Sequence, residues 1–500
     1  MNANLYALFE AHAADPAAPC LVVPGGPALS WADLAAHAAR YANALTRAGC
    51  RPGDRVAAQV DKHWQVLPLY LACLRARLVY LPLNTGYRKE ELAYFFGDAT
   101  PRVVVCRPEA LGVAATLARD ATVLTLDARG GELADRAAAE PDAFETVACG
   151  PDDLAAILYT SGTTGRSKGA MISHRNLASN ALSLVESWGF TRGDVLLHAL
   201  PIYHVHGLFV AIHCALLSGS RMLWLSRFDP GEVAALLPKA TAMMGVPTYY
   251  TRLLALPSFT RGACAAVRLF VSGSAPLLPE TFRAFEARTG QRILERYGMT
   301  ETGMIASNPL AGERRPGSVG RPLPGVEVRV VDDTGAACPS GTVGGVEVRG
   351  PNVFAGYWNM PGKTREAFTA DGWFRTGDVG RIGDDGYLEL VGRANDLVIT
   401  GGLNVYPKEI EERIDAMAGV VESAVVGVPD PDLGEAVVAV VVASAGHRLT
   451  EAGVIATLKA GIAGFKVPKR VLFAAELPRN AMGKVQKNVL REKLAPPAGA

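Results

Sequence analysis

Thr160-Ser161-Gly162-Thr163-Thr164-Gly165-Arg166-Ser167-Lys168-Gly169 follows directly on the apolar run Leu154–Tyr159. Three glycines let backbone N–H groups approach an anion closely. The hydroxyls add donors, and Arg166 and Lys168 bring positive charge to phosphates. The spacing is not the Walker pattern, because Ser167 rather than Gly precedes Lys168. A generic glycine-rich loop reads first as a solvated turn; the density of hydroxyl and basic residues moves this one to a phosphate-binding reading.

Upstream of that loop, helical and strand patterns alternate. Ser30 with Asp33 forms an N-cap signature, and Leu34, Ala38, Tyr41 and Leu45 follow at helical spacing. A turn at Arg51–Asp54 precedes a strand-like stretch from Arg55 to Val60, and further strand-like runs occur at Leu78–Leu83 and Val103–Val105. Strands alternating with helices predict an α/β fold with largely parallel sheets. From about Gly317 to Gly392, short β-branched runs between Gly/Pro/Asp turns predict a small, mostly antiparallel β subdomain. The texture changes again after Gly392-Arg393-Ala394-Asn395-Asp396. Pro407 opens a helix, two Val-rich strands lie near 420–427 and 436–443, and a Lys/Arg-rich tail ends the chain. The expectation is a large N-terminal domain of α/β subdomains plus the small β subdomain (residues 1–394), then a small mobile α+β C-terminal domain (395–500).

The chain of 500 residues is too long for one core. Fifty basic and 49 acidic residues leave a net charge of +1, which gives no support for nucleic-acid or anionic-membrane binding. Eight scattered cysteines without a C-x-x-C pair read as buried thiols in a reducing compartment. The N-terminus lacks the basic region of a signal peptide, and the longest apolar run, Ala436–Gly446, is too short to span a bilayer. A cytoplasmic enzyme is expected.

The phosphate loop resembles the signature of the adenylate-forming superfamily: acyl-CoA synthetases, adenylation domains and luciferases. Five further segments match that family in its order: Ser272–Pro276, Glu295-Arg296-Tyr297-Gly298-Met299-Thr300-Glu301, Trp373–Asp378, Gly392-Arg393 and Pro478–Lys484. The resemblance covers nearly the whole chain. It implies ATP binding by Thr160, Ser161, Gly162, Thr163, Thr164, Gly165, Arg166, Lys168, Ser274, Ala275, Pro276, Glu295, Arg296, Tyr297, Gly298, Asp378 and Arg393. Tyr297 is the expected adenine platform, Thr300 a neighbour of the α-phosphate, and Glu301 the Mg²⁺ ligand, a hard oxygen donor. Asp378 and Arg393 are the expected ribose contacts.

Lys484 is the expected catalytic ammonium, because a carboxylate attacking the α-phosphate builds negative charge that a placed cation stabilises. In this family the C-terminal domain rotates between two half-reactions. Gly401 and Gly402 would then border the path of the coenzyme A pantetheine arm. The hinge position, commonly Asp or Lys in the family, is Asn395 here.

Around the acyl pocket the chain carries His204, His206 and Arg252, where a fatty-acid pocket would be apolar. With Arg166-Ser167-Lys168 and the segment Thr400–Glu411, this resembles malonyl-CoA synthetases. The implied substrates are malonate, ATP and coenzyme A, with methylmalonate differing by one methyl group. Burying a second carboxylate requires a cation, and Arg252 is the expected one, with His206 and Ser274 as polar contacts and His204 nearer the reacting carboxylate. An amino-acid-adenylating enzyme would need an acid where these cations stand. A nucleotide-binding regulator without catalysis would not need Glu301, Asp378 and Lys484 together, and serine-hydrolase and zinc-hydrolase signatures are missing. Lys484 also resembles the lysine that acetyltransferases modify in bacterial acyl-CoA synthetases, where acetylation removes the charge.

Overall fold

The computed structural model describes all residues except 1, 14, 161–166, 394–395, 401–402, 431–432, 463, 481–482 and 495–500; the side chains of 403, 404 and 434 are also outside the description. The expected phosphate-loop residues Ser161–Arg166, the hinge Asn395 and the tunnel glycines Gly401 and Gly402 thus lie outside the described residues.

Two large sheets dominate the first three hundred residues. A seven-stranded sheet holds β1 (Leu154–Thr160) and β2 (Lys168–Ser173), an antiparallel pair at one side of a parallel core that includes Arg55–Gln59, Val79–Pro82, Val103–Cys106 and Thr122–Thr125. The pairing sets Thr160 opposite Lys168, the residues on either side of the expected phosphate-binding segment. The second sheet has nine strands. Its parallel centre includes Val195–His198, Ala242–Gly245, β3 (Leu269–Ser272) and β4 (Leu294–Met299), and β5 (Gly303–Ser307) returns antiparallel on β4. Helix α1 (Pro247–Leu254) starts at the end of strand Ala242–Gly245 with Pro247 in its first turn. Parallel strands buried on both faces explain why these segments read as continuous apolar runs.

A four-stranded antiparallel sheet follows: Glu327–Val331, Gly344–Arg349, β6 (Phe374–Ile382) and β7 (Leu388–Arg393). Beyond it lie α2 (Pro407–Asp415), the long antiparallel pair Val420–Asp430 and Gly434–Ala443, and the terminal helix α3 (Lys487–Leu494). The run Ala436–Gly446 is thus mostly an interior strand, flanked by Val420–Asp430 and Arg470–Ala474. This last sheet has its own two apolar clusters, one on each face. The capping box at Ser30 and Asp33 forms and starts helix Trp31–Arg47. Seven cysteines are buried, and all eight are free thiols.

Candidate active site

Strand β4 brings Glu295, Arg296, Tyr297 and Gly298 to the wall of a cleft of about 560 Å³. Alternate residues of a strand face opposite sides, and β4 uses both. Tyr297 donates its hydroxyl proton to Asp378 Oδ2. Asp378 on β6 lies directly opposite Arg393 on β7, and Arg393 Nε meets Asp378 Oδ1 at 3.0 Å. Burial, reinforced by the Asp378 carboxylate, holds the Tyr297 phenol well above its ordinary pKa. A ring, a carboxylate and a guanidinium so arranged offer a stacking face and hydrogen-bonding groups for a nucleoside.

Lys168 begins β2, and its Nζ lies 4.4 Å from the ring centre of Tyr357. Tyr357 donates to Glu301 Oε1 at 3.0 Å. Tyr94 donates to the carbonyl of Ser167 at 2.8 Å, securing the exit of the loop. Glu301 is buried, and Thr300 beside it is half-buried. Among the described residues no cluster of three or more His, Cys, Asp or Glu could hold a metal ion. One hard carboxylate close to the lysine that leaves the phosphate loop still suits Mg²⁺, which keeps its waters and shares phosphate oxygens rather than requiring a protein cage.

Lys484 is presented by a tied turn. Asn480 N–H donates to the Lys484 carbonyl at 2.9 Å, Lys484 N–H donates to Asn480 Oδ1 at 3.0 Å, and Gly483 takes φ +74°. Arg479 bonds the Gly483 carbonyl and pairs with Glu422. The turn approaches the first turn of α1: a Cβ on Gly483 would lie 3.5 Å from Thr248 Oγ1. Burial, then repulsion from Arg393, lowers the Lys484 pKa, while Asp378, Asp396 and Glu301 oppose the shift. The two parts of the chain also touch through Lys408 on α2, whose Nζ donates to the Leu390 carbonyl of β7.

On the other face of β4 stands Arg296. Its side chain is buried, and its Nε and Nη2 have no protein partner. The guanidinium fills the place of a side chain at Gly273, where a Cβ would sit 2.4 Å from Arg296 Cζ. Burial lowers its pKa to about 9. Ser274, at φ +72°, places its hydroxyl 3.2 Å from His206 Nδ1. Burial, with Arg296 and Lys484 adding repulsion, pushes His204 down to about 4, and His206 is also held well below its ordinary value. Both imidazoles are therefore neutral near pH 7. Glu295 accepts the Leu277 N–H at 3.1 Å through Oε1, its Oε2 has no partner, and burial raises its pKa to about 7.

Arg252 lies in the last turn of α1, exposed, and lines the cleft. The buried cation near the two histidines is Arg296. Strand alternation carried this signal: Tyr297 faces Asp378, so its neighbour Arg296 points away from the nucleoside corner. Ala275 and Pro276 line the cleft. Gly298 serves the hairpin itself, since a Cβ there would lie 2.1 Å from the Gly303 carbonyl oxygen. Tyr357 has no part in the motif reading, and Lys408 enters it only as a member of Thr400–Glu411, because each acts through a contact between segments distant in sequence.

The AMP-binding enzyme family matches residues 8–358, and the AMP-binding enzyme C-terminal domain matches residues 409–484. MatB from Rhodopseudomonas palustris is 56% identical, and its ATP-bound crystal structure covers 99% of both chains with a TM-score of 0.97. The apo crystal structure of the same protein gives 0.86, so the present arrangement is nearer the ATP-bound one. The mitochondrial malonate–CoA ligase of Mus musculus is 37% identical over 90% of this chain and 84% of its own. A feruloyl-CoA synthase of Amycolatopsis sp is 37% identical over 94% of each chain. With both parts of the chain matched and Tyr297, Asp378, Arg393 and Lys484 lining one cleft, the chain belongs to the AMP-binding enzyme family.

Proposed function

We propose that this protein is a malonyl-CoA synthetase, an AMP-forming acid–thiol ligase that converts malonate, ATP and coenzyme A to malonyl-CoA, AMP and diphosphate. One malonate carboxylate attacks the α-phosphorus, and diphosphate leaves. The coenzyme A sulfur then attacks the carbonyl of the resulting mixed anhydride, and AMP leaves. Lys484 stabilises the charge built in the first step. Tyr297, Asp378 and Arg393 hold the nucleoside. Glu301 and phosphate oxygens would hold Mg²⁺, which supplies neutralising charge when bound.

The observation that carries the substrate is Arg296. An unpaired, buried guanidinium beside neutral histidines is costly on its own and becomes favourable when a carboxylate meets it. Arg296 therefore holds the second carboxylate, with Ser274 and His206 beside it and Arg252 at the rim. His204 feels the charge of both Arg296 and Lys484, which suits contact with the reacting carboxylate. Methylmalonate fits the same charge pattern.

ATP–diphosphate exchange with malonate and propionate tests this assignment. Arg296→Ala should reduce malonate use by roughly 10–150-fold, from about 1.5–3 kcal/mol for a charged hydrogen bond, and propionate use far less. Arg252→Ala should have the smaller effect. A malonate-selective loss at Arg252 instead would move the carboxylate to the rim, and equal losses for both acids would make Arg296 structural. The feruloyl-CoA synthase relative favours a second reading, an aromatic monocarboxylic acid. That acid would leave Arg296 unpaired, so a higher kcat/KM for ferulate than for malonate decides for it.

The catalytic cycle we infer divides residues 1–394 from 395–500 and turns near 393–396 at Asn395. Gly401 and Gly402 line the coenzyme A path after rotation. Among the described residues no helix is long and apolar enough to cross a membrane. Acetylation of Lys484 by a lysine acetyltransferase would switch off the first step.

A further inference from the structure

A buried lysine contacts the strand that leads into the loop 199–206. Lys62 follows the strand Arg55–Gln59 and is only 9% exposed. Its Nζ is 2.7 Å from Nδ1 of His198 and 2.8 Å from the carbonyl oxygen of the same residue. It also lies 4.5 Å from the ring centre of Trp224, which stacks on the His198 imidazole at 4.9 Å. No carboxylate pairs with Lys62 among the described residues. Its surroundings are thus two acceptors on one residue and an aromatic face.

The other nitrogen of that imidazole, Nε2, is 3.0 Å from the Gly207 carbonyl oxygen. A carbonyl can only accept, so Nε2 must carry the proton. A neutral His198 then offers Nδ1 as an acceptor, and Lys62 donates to it in either of its protonation states. Lys62 thereby fixes the tautomer, and the tautomer joins the Gly207 carbonyl to the ring.

His198 and Gly207 bracket the loop 199–206, which carries His204 and His206. The loop is folded tightly on itself: a Cβ on Gly207 would lie 2.0 Å from the Pro201 carbonyl oxygen. His206 then opens a π-helical turn, His206–Ala211, and reaches Ser274. Burying an amine without an acid costs stability that methionine would not, so packing alone gives no reason for a lysine here.

We propose that Lys62 is a positioning residue for the activation step: through His198 it closes the 199–206 loop and sets His204 and His206 against the acid. The inference rests on the reading of this cleft as the acid-activating site. Lys62→Met keeps length and volume and removes every donor. It should raise the KM for malonate by between about 10- and 100-fold, the scale of misplacing a contact by an ångström. ATP affinity should stay within about twofold of wild type, and Tm should be unchanged or higher.

Histidine-selective ¹⁵N spectra of the wild-type protein, with His198 assigned by its loss in His198→Gln, should show Nε2 protonated and Nδ1 accepting. In Lys62→Met the Nδ1 resonance should move. An unchanged malonate KM in a folded Lys62→Met protein overturns the proposal. So does a wild-type His198 protonated at Nδ1, a result that needs no Lys62 variant to fold. Equal losses of malonate and ATP binding would make Lys62 purely structural and also overturn it. If the wild-type enzyme activates no dicarboxylate, the substrate reading fails while the His198 spectra still report the clamp.

Discussion

The role proposed for Lys484 depends on where the contacts of Arg479, Asn480 and Gly483 hold it, and burial opposes its charge. Lys484→Ala should slow ATP–diphosphate exchange by roughly 10²–10³-fold, the effect of losing one preorganised donor. The same variant should still convert supplied malonyl-adenylate and coenzyme A to the thioester at wild-type rate. Loss of both half-reactions would mean that Lys484 is not confined to the first. A protein acetylated at Lys484, checked by intact mass, should behave as the alanine variant does. The family was legible in the sequence from short ordered motifs, those around Lys484, Asp378 and Arg393 among them. The burial of the two arginines was not legible in the same way. Arg252 and Arg296 are both arginines near the pocket segments, and only the fold shows that one is exposed while the other fills the space left by Gly273.

At the scale of elements, the β4–β5 hairpin decides the site, because Tyr297 contacts Asp378 while Arg296 points to the acyl side. Its register shifts between Tyr297 and Gly298, and the bare Cα of Gly298 lets the two strands close. Gly298→Ala would drive a methyl group against the Gly303 carbonyl and Met304. Overpacking of this kind should cost about 1–3 kcal/mol, read as a lower Tm, together with weakened ATP binding by calorimetry. An unchanged Tm and ATP affinity would show that the hairpin has slack. The strands themselves were readable from apolar runs and turn residues, and Pro407 and Ser30 marked helix starts correctly. The π-helical turn at His206–Ala211 was not readable, since its apolar residues fit a helix or a strand equally. Nor could periodicity reveal that Lys62, more than a hundred residues upstream, clamps the loop before that turn.

Across the whole molecule, the approach of the C-terminal part has an electrostatic cost. Burial raises the pKa of Asp415 from 3.8 to about 7; Ser423 opposes the shift, and Glu411, Glu422 and Glu280 add to it. Glu280 belongs to the helix Pro279–Thr289 of the large part, so closure brings acids together. Between pH 4 and 7, roughly, the folded protein holds a proton that the unfolded chain has released. This contribution is fully present below the unfolded pKa and is lost as pH rises through the folded one. Denaturant unfolding of Asp415→Asn should therefore retain about 1–3 kcal/mol that the wild type loses between pH 5 and 8. Parallel pH profiles for the two proteins would remove Asp415 as the cause. Sequence texture placed the boundary near 393–396, but a carboxylate facing acids from both parts is a property of assembly.

The bond from Lys408 to the Leu390 carbonyl has a consequence for how such enzymes diversify. Its acceptor is main chain, so it registers the path of β7 and is indifferent to the side chain at position 390. A contact written in backbone geometry survives drift on the accepting side.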